Sequence, residues 1–183
     1  MLIYVAILAL VEILLFAFNY KSGTWLMGWD VVMPELNTWL NIKRAFTAIW
    51  QDYRGLGLLD GMAHSANLTH SIYIWILSLV VPQSIIRYVF IHLTHLAGGL
   101  GMFFLLLRFT KNKLSALTGS LFYMLNIGVV QLYSAPLEVF AIHFSALPIL
   151  TLWTLRSLET PTRKNLSLLL LFSFLFKNLF IKN

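Results

Sequence analysis

Cysteine is absent from all 183 residues, which excludes disulfides and thiolate metal centres and leaves no redox signature to read. Charge is scarce as well. Only 11% of the residues are Asp, Glu, Lys or Arg, where a soluble domain carries about 25%. With 59% hydrophobic residues and a mean hydropathy of +0.80, a chain of this length has too little polar surface to wrap a water-soluble core. A basic face interleaved with aromatics, of the kind that binds nucleic acid, is missing too. Lys and Arg instead gather at the ends of apolar runs, where they account for a net charge of +6. The first segment has no basic leader and no small-x-small cleavage site, and it contains Glu12. Met1–Asn19 therefore reads as an uncleaved helix rather than a signal peptide.

What is present is a series of long apolar stretches. Residues 1–19, 85–107, 114–133, 138–155 and 165–182 each approach the roughly 20 residues that a helical crossing needs. The expected fold class is an all-α, polytopic membrane protein, one membrane domain over 1–183 with about five transmembrane helices and a large first outer loop. The apolar stretch Ser71–Val81, stopped by Pro82, is too short to cross. Charge fixes the expected orientation. Arg108, Lys111 and Lys113 follow the second span, Arg156, Arg163 and Lys164 follow the fourth, and the turn Ser134–Leu137 between the third and fourth has no Lys or Arg. Five crossings with a cytoplasmic N-terminus put both basic loops inside and residues 20–84 outside, as the positive-inside rule requires. The last stretch is interrupted by Lys177 and stops at Asn183, which reads as a bundle cut short.

The outer loop has its own pattern. After Pro34, which suits a first helical position, Leu36, Trp39, Leu40, Phe46, Ile49, Trp50 and Tyr53 recur at three- and four-residue steps. Such a stripe beside a membrane predicts a helix lying in the interface. Gly55, Gly57 and Gly61 break it, the small polar stretch 61–67 suits a pocket lining, and Ser71–Val81 predicts a second juxtamembrane helix. A loop of this kind must pack over the bundle or line a cavity, because irregular backbone is not tolerated in contact with lipid.

Several side chains in and around that loop could carry chemistry. Asp30, in Gly28-Trp29-Asp30, could serve as a general base toward an acceptor hydroxyl or hold a phosphate-bound metal. A solvated loop aspartate or a helix N-terminal charge near Pro34 is the commoner role for such a residue. Glu35 fits the first turn of the predicted helix. His64 and His70 flank the small polar stretch and could bind phosphate or move a proton, or simply be polar loop residues. Arg87, at the outer start of the second span, could snorkel to headgroups or hold a substrate phosphate. Glu12 and Glu138 are the membrane carboxylates, and an ionisable residue within a span points to function. Glu138 could cap its helix or face the outer cavity. His92 and His95 share a helix face. With no HExxH pattern and no third ligand at helical spacing, an interhelical hydrogen bond is the expectation rather than a metal. Gly98, Gly99 and Gly101 predict a close helix-packing face.

A family resemblance rests on Gly55-Leu56-Gly57, Pro82, Arg87 opening a helix, Gly98–Gly101, Leu117-Thr118-Gly119-Ser120-Leu121-Phe122-Tyr123, Ser134-Ala135-Pro136-Leu137-Glu138 and Ala146-Leu147-Pro148. Over about Trp50–Leu158 the chain resembles the GT-C class of integral-membrane glycosyltransferases, and is most similar to the N-terminal membrane domain of the arabinofuranosyltransferase family. The resemblance implies transfer from a polyprenyl-phosphate-linked sugar donor to an outer-face glycan acceptor at the cell membrane, as part of a larger enzyme. It implies a catalytic aspartate in the first outer loop, and Asp30 is the matching position. No second acidic residue directly follows Asp30, which leaves a divalent metal cofactor open. Arg87, His64, Glu35 and Glu138 are the candidate substrate-binding residues. The alternatives are a transporter or flippase, a scaffold bundle bathed in membrane lipids, or an inactive truncated fragment. Against transport stands the lack of the internal repeat on which many transporter folds are built.

Overall fold

The computed structural model describes residues 1–26, 34–47, 50–51, 58–59, 68–134 and 138–176. Over these residues the chain is all-α, relieved only by a two-residue antiparallel pairing of β1 (Trp50–Gln51) with β2 (Leu58–Leu59). The helices are α1 (Leu2–Asn19), α2 (Thr38–Thr47) after a 3-10 turn at Pro34–Leu36, α3 (Leu68–Ser78), α4 (Ile86–Thr110), α5 (Lys113–Leu125), α6 (Ile127–Ser134), α7 (Glu138–Glu159) and α8 (Arg163–Leu175).

Helix α4 is the axis of the bundle and packs against α1, α3, α5 and α7. Ring contacts fix the directions. Tyr4 stacks on Phe103 and Phe16 meets His92, so α1 runs antiparallel to α4. Ser120 Oγ donates to the Gly99 carbonyl at 2.6 Å, and Tyr133 packs on His95, so α5 and α6 also run back along α4. Phe144 lies on His95 and Glu159 pairs with Arg108, so α7 descends beside α4. The chain thus runs up and down the bundle, with its N-terminus and both basic loops at one end.

Two cores hold the helices together. One joins Ile74, Ile86, Phe90, Ile91, Ala141 and Ile142 near the start of α4. The other joins Leu8, Phe103, Ala116, Leu117 and Met124 further along it. The glycines of α4 permit the close approach. A Cβ on Gly101 would come 2.7 Å from Ile149 Cγ1, and Cβ atoms on Gly98 and Gly99 would collide with Phe144 and Met124. The expected packing face is therefore real. Pro148 in α7 has no N–H to offer the carbonyl of Phe144. The Tyr123 hydroxyl supplies the missing hydrogen bond, donating to Phe144 O at 2.8 Å.

Outward faces are strongly apolar. Leu2, Phe18 and Ile127 are each at least 85% exposed, and Phe122, Phe140 and Leu147 also point outward. Helices α1 and α4 are long and apolar enough to cross a membrane. Of the remaining expected spans, 138–155 lies within the continuous 22-residue α7, and α8 has 13 residues. The stretch 114–133 is not one helix. Asn126 adopts extended backbone, its Nδ2 donates to Phe122 O and Tyr123 O, and its Oδ1 accepts from Val129 N. Its side chain competes with the helical ladder and splits α5 from α6. The interface helix expected to continue to Tyr53 ends at Thr47, and Trp50–Gln51 pairs with Leu58–Leu59 instead. Leu36, Trp39 and Phe46 of its stripe are exposed, while Ile42 is the buried residue that docks the helix. The expected second helix is present as α3, shifted toward the N-terminus.

Candidate functional site

Two buried polar clusters sit along α4. The first lies at its N-terminal end. Arg87, in the first turn, is 3% exposed and does not snorkel. Its NH2 donates to Glu35 Oε2 at 3.1 Å, and its NH1 donates to the Leu26 carbonyl at 3.2 Å. Gln83 Nε2 donates to the Glu35 carbonyl at 2.6 Å, so the 3-10 turn is held by side chain and backbone together. The Thr24 hydroxyl meets Tyr88 OH at 2.9 Å. The loop is thereby docked on the bundle at both flanks of segment 27–33. His70, on α3, packs on Phe90 at 4.9 Å, and its Nε2 is buried with no hydrogen-bond partner. Burial, reinforced by the charge of Arg87, pushes His70 down to about 4, so its ring is neutral at pH 7.

Of the sequence candidates, the fold brings Arg87 and Glu35 together. Asp30 and His64 lie outside the described residues, and Glu138 is placed only as the first residue of α7. Glu35 stands in the 3-10 turn ahead of α2 rather than in the first turn of a long helix. His70, which reads in the sequence as a loop residue, is helical and buried.

The second cluster lies one to two turns further along α4. Glu12 is 5% exposed and is the buried polar residue of α1. Its Oε1 meets His92 Nδ1 at 2.5 Å and its Oε2 meets His95 Nδ1 at 2.6 Å. His95 Nε2 reaches the Met124 carbonyl at 3.1 Å. Met124 belongs to the last turn of α5, where the break at Asn126 leaves carbonyls without helical partners. The interhelical bond expected of the two histidines is present, but its partner was not foreseen. The signal for it is depth along the two helices. Glu12 lies seven residues before the end of α1, and His92 and His95 lie six and nine residues after the start of α4, so antiparallel packing sets them level. Among the described residues, no group of three or more His, Asp or Glu is arranged to hold a metal ion.

No family model, curated protein or solved structure matches this chain.

Proposed function

We propose that this chain is an integral-membrane bundle of five crossings, with the N-terminus cytoplasmic and residues 20–84 outside, that takes part in glycosyl transfer from a polyprenyl-phosphate-linked sugar to an outer-face glycan. Membrane insertion is supported by the apolar outward faces of the helices, which water would not tolerate at this extent. The orientation is supported by the basic loops, which share one end of the bundle through the pairing of Arg108 with Glu159.

The observation that carries the functional reading is the grip of Arg87 on both Leu26 and Glu35. Those residues flank, in sequence, the segment 27–33 that contains Asp30, so both flanks of that segment meet the best phosphate-binding cation. A guanidinium matches phosphate as well as carboxylate. In this reading the Glu35 carboxylate holds the place that the donor phosphate takes. The acceptor hydroxyl oxygen attacks the anomeric carbon, the bond to the polyprenyl phosphate breaks, and the hydroxyl proton passes to Asp30.

The test is transfer from a labelled polyprenyl-phosphate sugar by the full chain in proteoliposomes. A positioned general base contributes about 10²–10⁴-fold, so Asp30→Asn is expected to lower turnover by that factor. Arg87→Gln is expected to raise the donor KM. Unchanged turnover in Asp30→Asn removes Asp30 from the mechanism.

The runner-up is a transporter. What favours it is the Glu12 cluster, since ionisable groups inside spans commonly mark ion and proton pathways.

A further inference from the structure

The cluster of Glu12, His92 and His95 plays no part in the transfer chemistry proposed above, and its hydrogen-bond roles can be counted. A carbonyl oxygen only accepts. His95 Nε2 must therefore carry hydrogen to bond Met124 O at 3.1 Å. On the other side of the same ring, Nδ1 stands 2.6 Å from Glu12 Oε2. That contact requires one more proton, either on Nδ1, giving imidazolium and carboxylate, or on Oε2, giving a neutral acid and a neutral imidazole. Both placements leave the pair with zero net charge. His92 is satisfied as a neutral ring that donates from Nδ1 to Glu12 Oε1 at 2.5 Å.

We propose that Glu12, His92 and His95 form a buried proton-binding site that holds one transferable proton between α1 and α4. Removing that proton would leave a net negative charge in an apolar surrounding, with two bare acceptors facing each other. Adding a further one would leave a net positive charge. Each costs more in low dielectric than in water. The proton moves between Oε2 and Nδ1 without changing the net charge. Withdrawal of α1 from α4 then has two outcomes: the proton leaves on a neutral Glu12, or two opposite charges are separated. Contact between these helices is thereby linked to proton occupancy.

Aromatic rings flank the site. Phe16 of α1 stands edge-on to His92, and Phe144 of α7 stacks on His95. The other titratable groups around it are phenols, His143 and a more distant pair. Tyr133 of α6 packs on His95 at 4.3 Å, with Thr94 beside its hydroxyl. Tyr123 of α5 stacks on Phe144, and His143 precedes Phe144 on α7. From α3, His70 packs on Phe90 and sits beside Arg87 at the start of α4. A metal bound by all three residues would draw both Nδ1 atoms and a carboxylate oxygen to within about 2.0–2.2 Å of one point. Here the two nitrogens engage opposite oxygens of the carboxylate.

The experiment is ring-nitrogen NMR of ¹⁵N-histidine-labelled full chain in lipid vesicles at neutral pH, paired with infrared detection of a protonated carboxyl. His92→Gln and His95→Gln assign the signals. In the unsubstituted chain, either His95 carries hydrogen on both nitrogens or Glu12 shows the neutral-acid band. In Glu12→Gln that band is absent and both rings carry a single hydrogen, a loss of one proton per chain. Singly protonated rings beside an ionised Glu12 in the unsubstituted chain would overturn the proposal, as would one equivalent of metal per chain by elemental analysis. Should Glu12→Gln not fold, the spectra of the unsubstituted chain still decide.

Discussion

His70 packs its ring against Phe90, with Nε2 buried and unpartnered and Arg87 close by. Such a ring resists protonation, and its folded value of about 4 lies below the usual 6.5. The unfolded chain therefore binds more protons than the folded one between these values. The stabilisation is complete above pH 6.5 and is lost as pH falls toward 4. The shift corresponds to about 3 kcal/mol. We expect denaturant unfolding of the reconstituted chain to show this acid-side loss, and His70→Leu to remove that share of it. An identical pH slope in both chains would contradict the assignment. The neighbouring Arg87 and Glu35 are both buried and pair at 3.1 Å, and Arg87 also donates to the Leu26 carbonyl, so deleting either side chain takes a charged partner from the other in a buried setting.

Among the elements, the contact of α4 with α7 depends on the absence of side chains. Gly101 faces Ile149 and Pro148, and the built Cβ positions leave no room for a larger residue. Gly101→Val is expected to destabilise the bundle by about 1–3 kcal/mol, the usual cost of overpacking. Gly128→Ala is the control: its nearest neighbour would be Asn126 Oδ1 at 3.4 Å, so that change should be nearly neutral. Equal midpoints for the two variants in detergent unfolding would refute this packing. The glycine face was legible in the sequence, because small residues at helical spacing have few other uses in an apolar helix. The break at Asn126 was not, because hydropathy runs smoothly through it and the competing side-chain bonds form only once the helix ends there.

For the whole molecule, the proposed orientation follows from which ends meet. Arg87 opens α4 and Arg108 closes it, some 32 Å apart at about 1.5 Å per residue. The loop docks at the first end, and the N-terminus and basic loops gather at the second. Because the chain has no cysteine, single cysteines report sidedness without background. Lys111→Cys and Pro161→Cys should react with an impermeant maleimide only from the cytoplasmic side, and Ser22→Cys only from the outside. Labelling of Ser22→Cys and Lys111→Cys from the same side would exclude an odd number of crossings between them.

The sequence by itself determined that the chain is helical, strongly apolar and organised around a large polar loop. Those properties are local: hydropathy over a window, a proline that ends a run, a basic cluster at a helix end. It also marked Glu12 as a carboxylate within a span and expected an interhelical hydrogen bond of His92 and His95. Only the tertiary structure decided who the partners are. Glu12 finds His92 and His95 from 80 and 83 residues away, and Glu35 finds Arg87 from 52. Such pairings depend on helix direction, depth and rotation together. These are fixed by packing between faces, here by the glycines of α4 and the aromatic rings around His95, and no single segment of the chain encodes them.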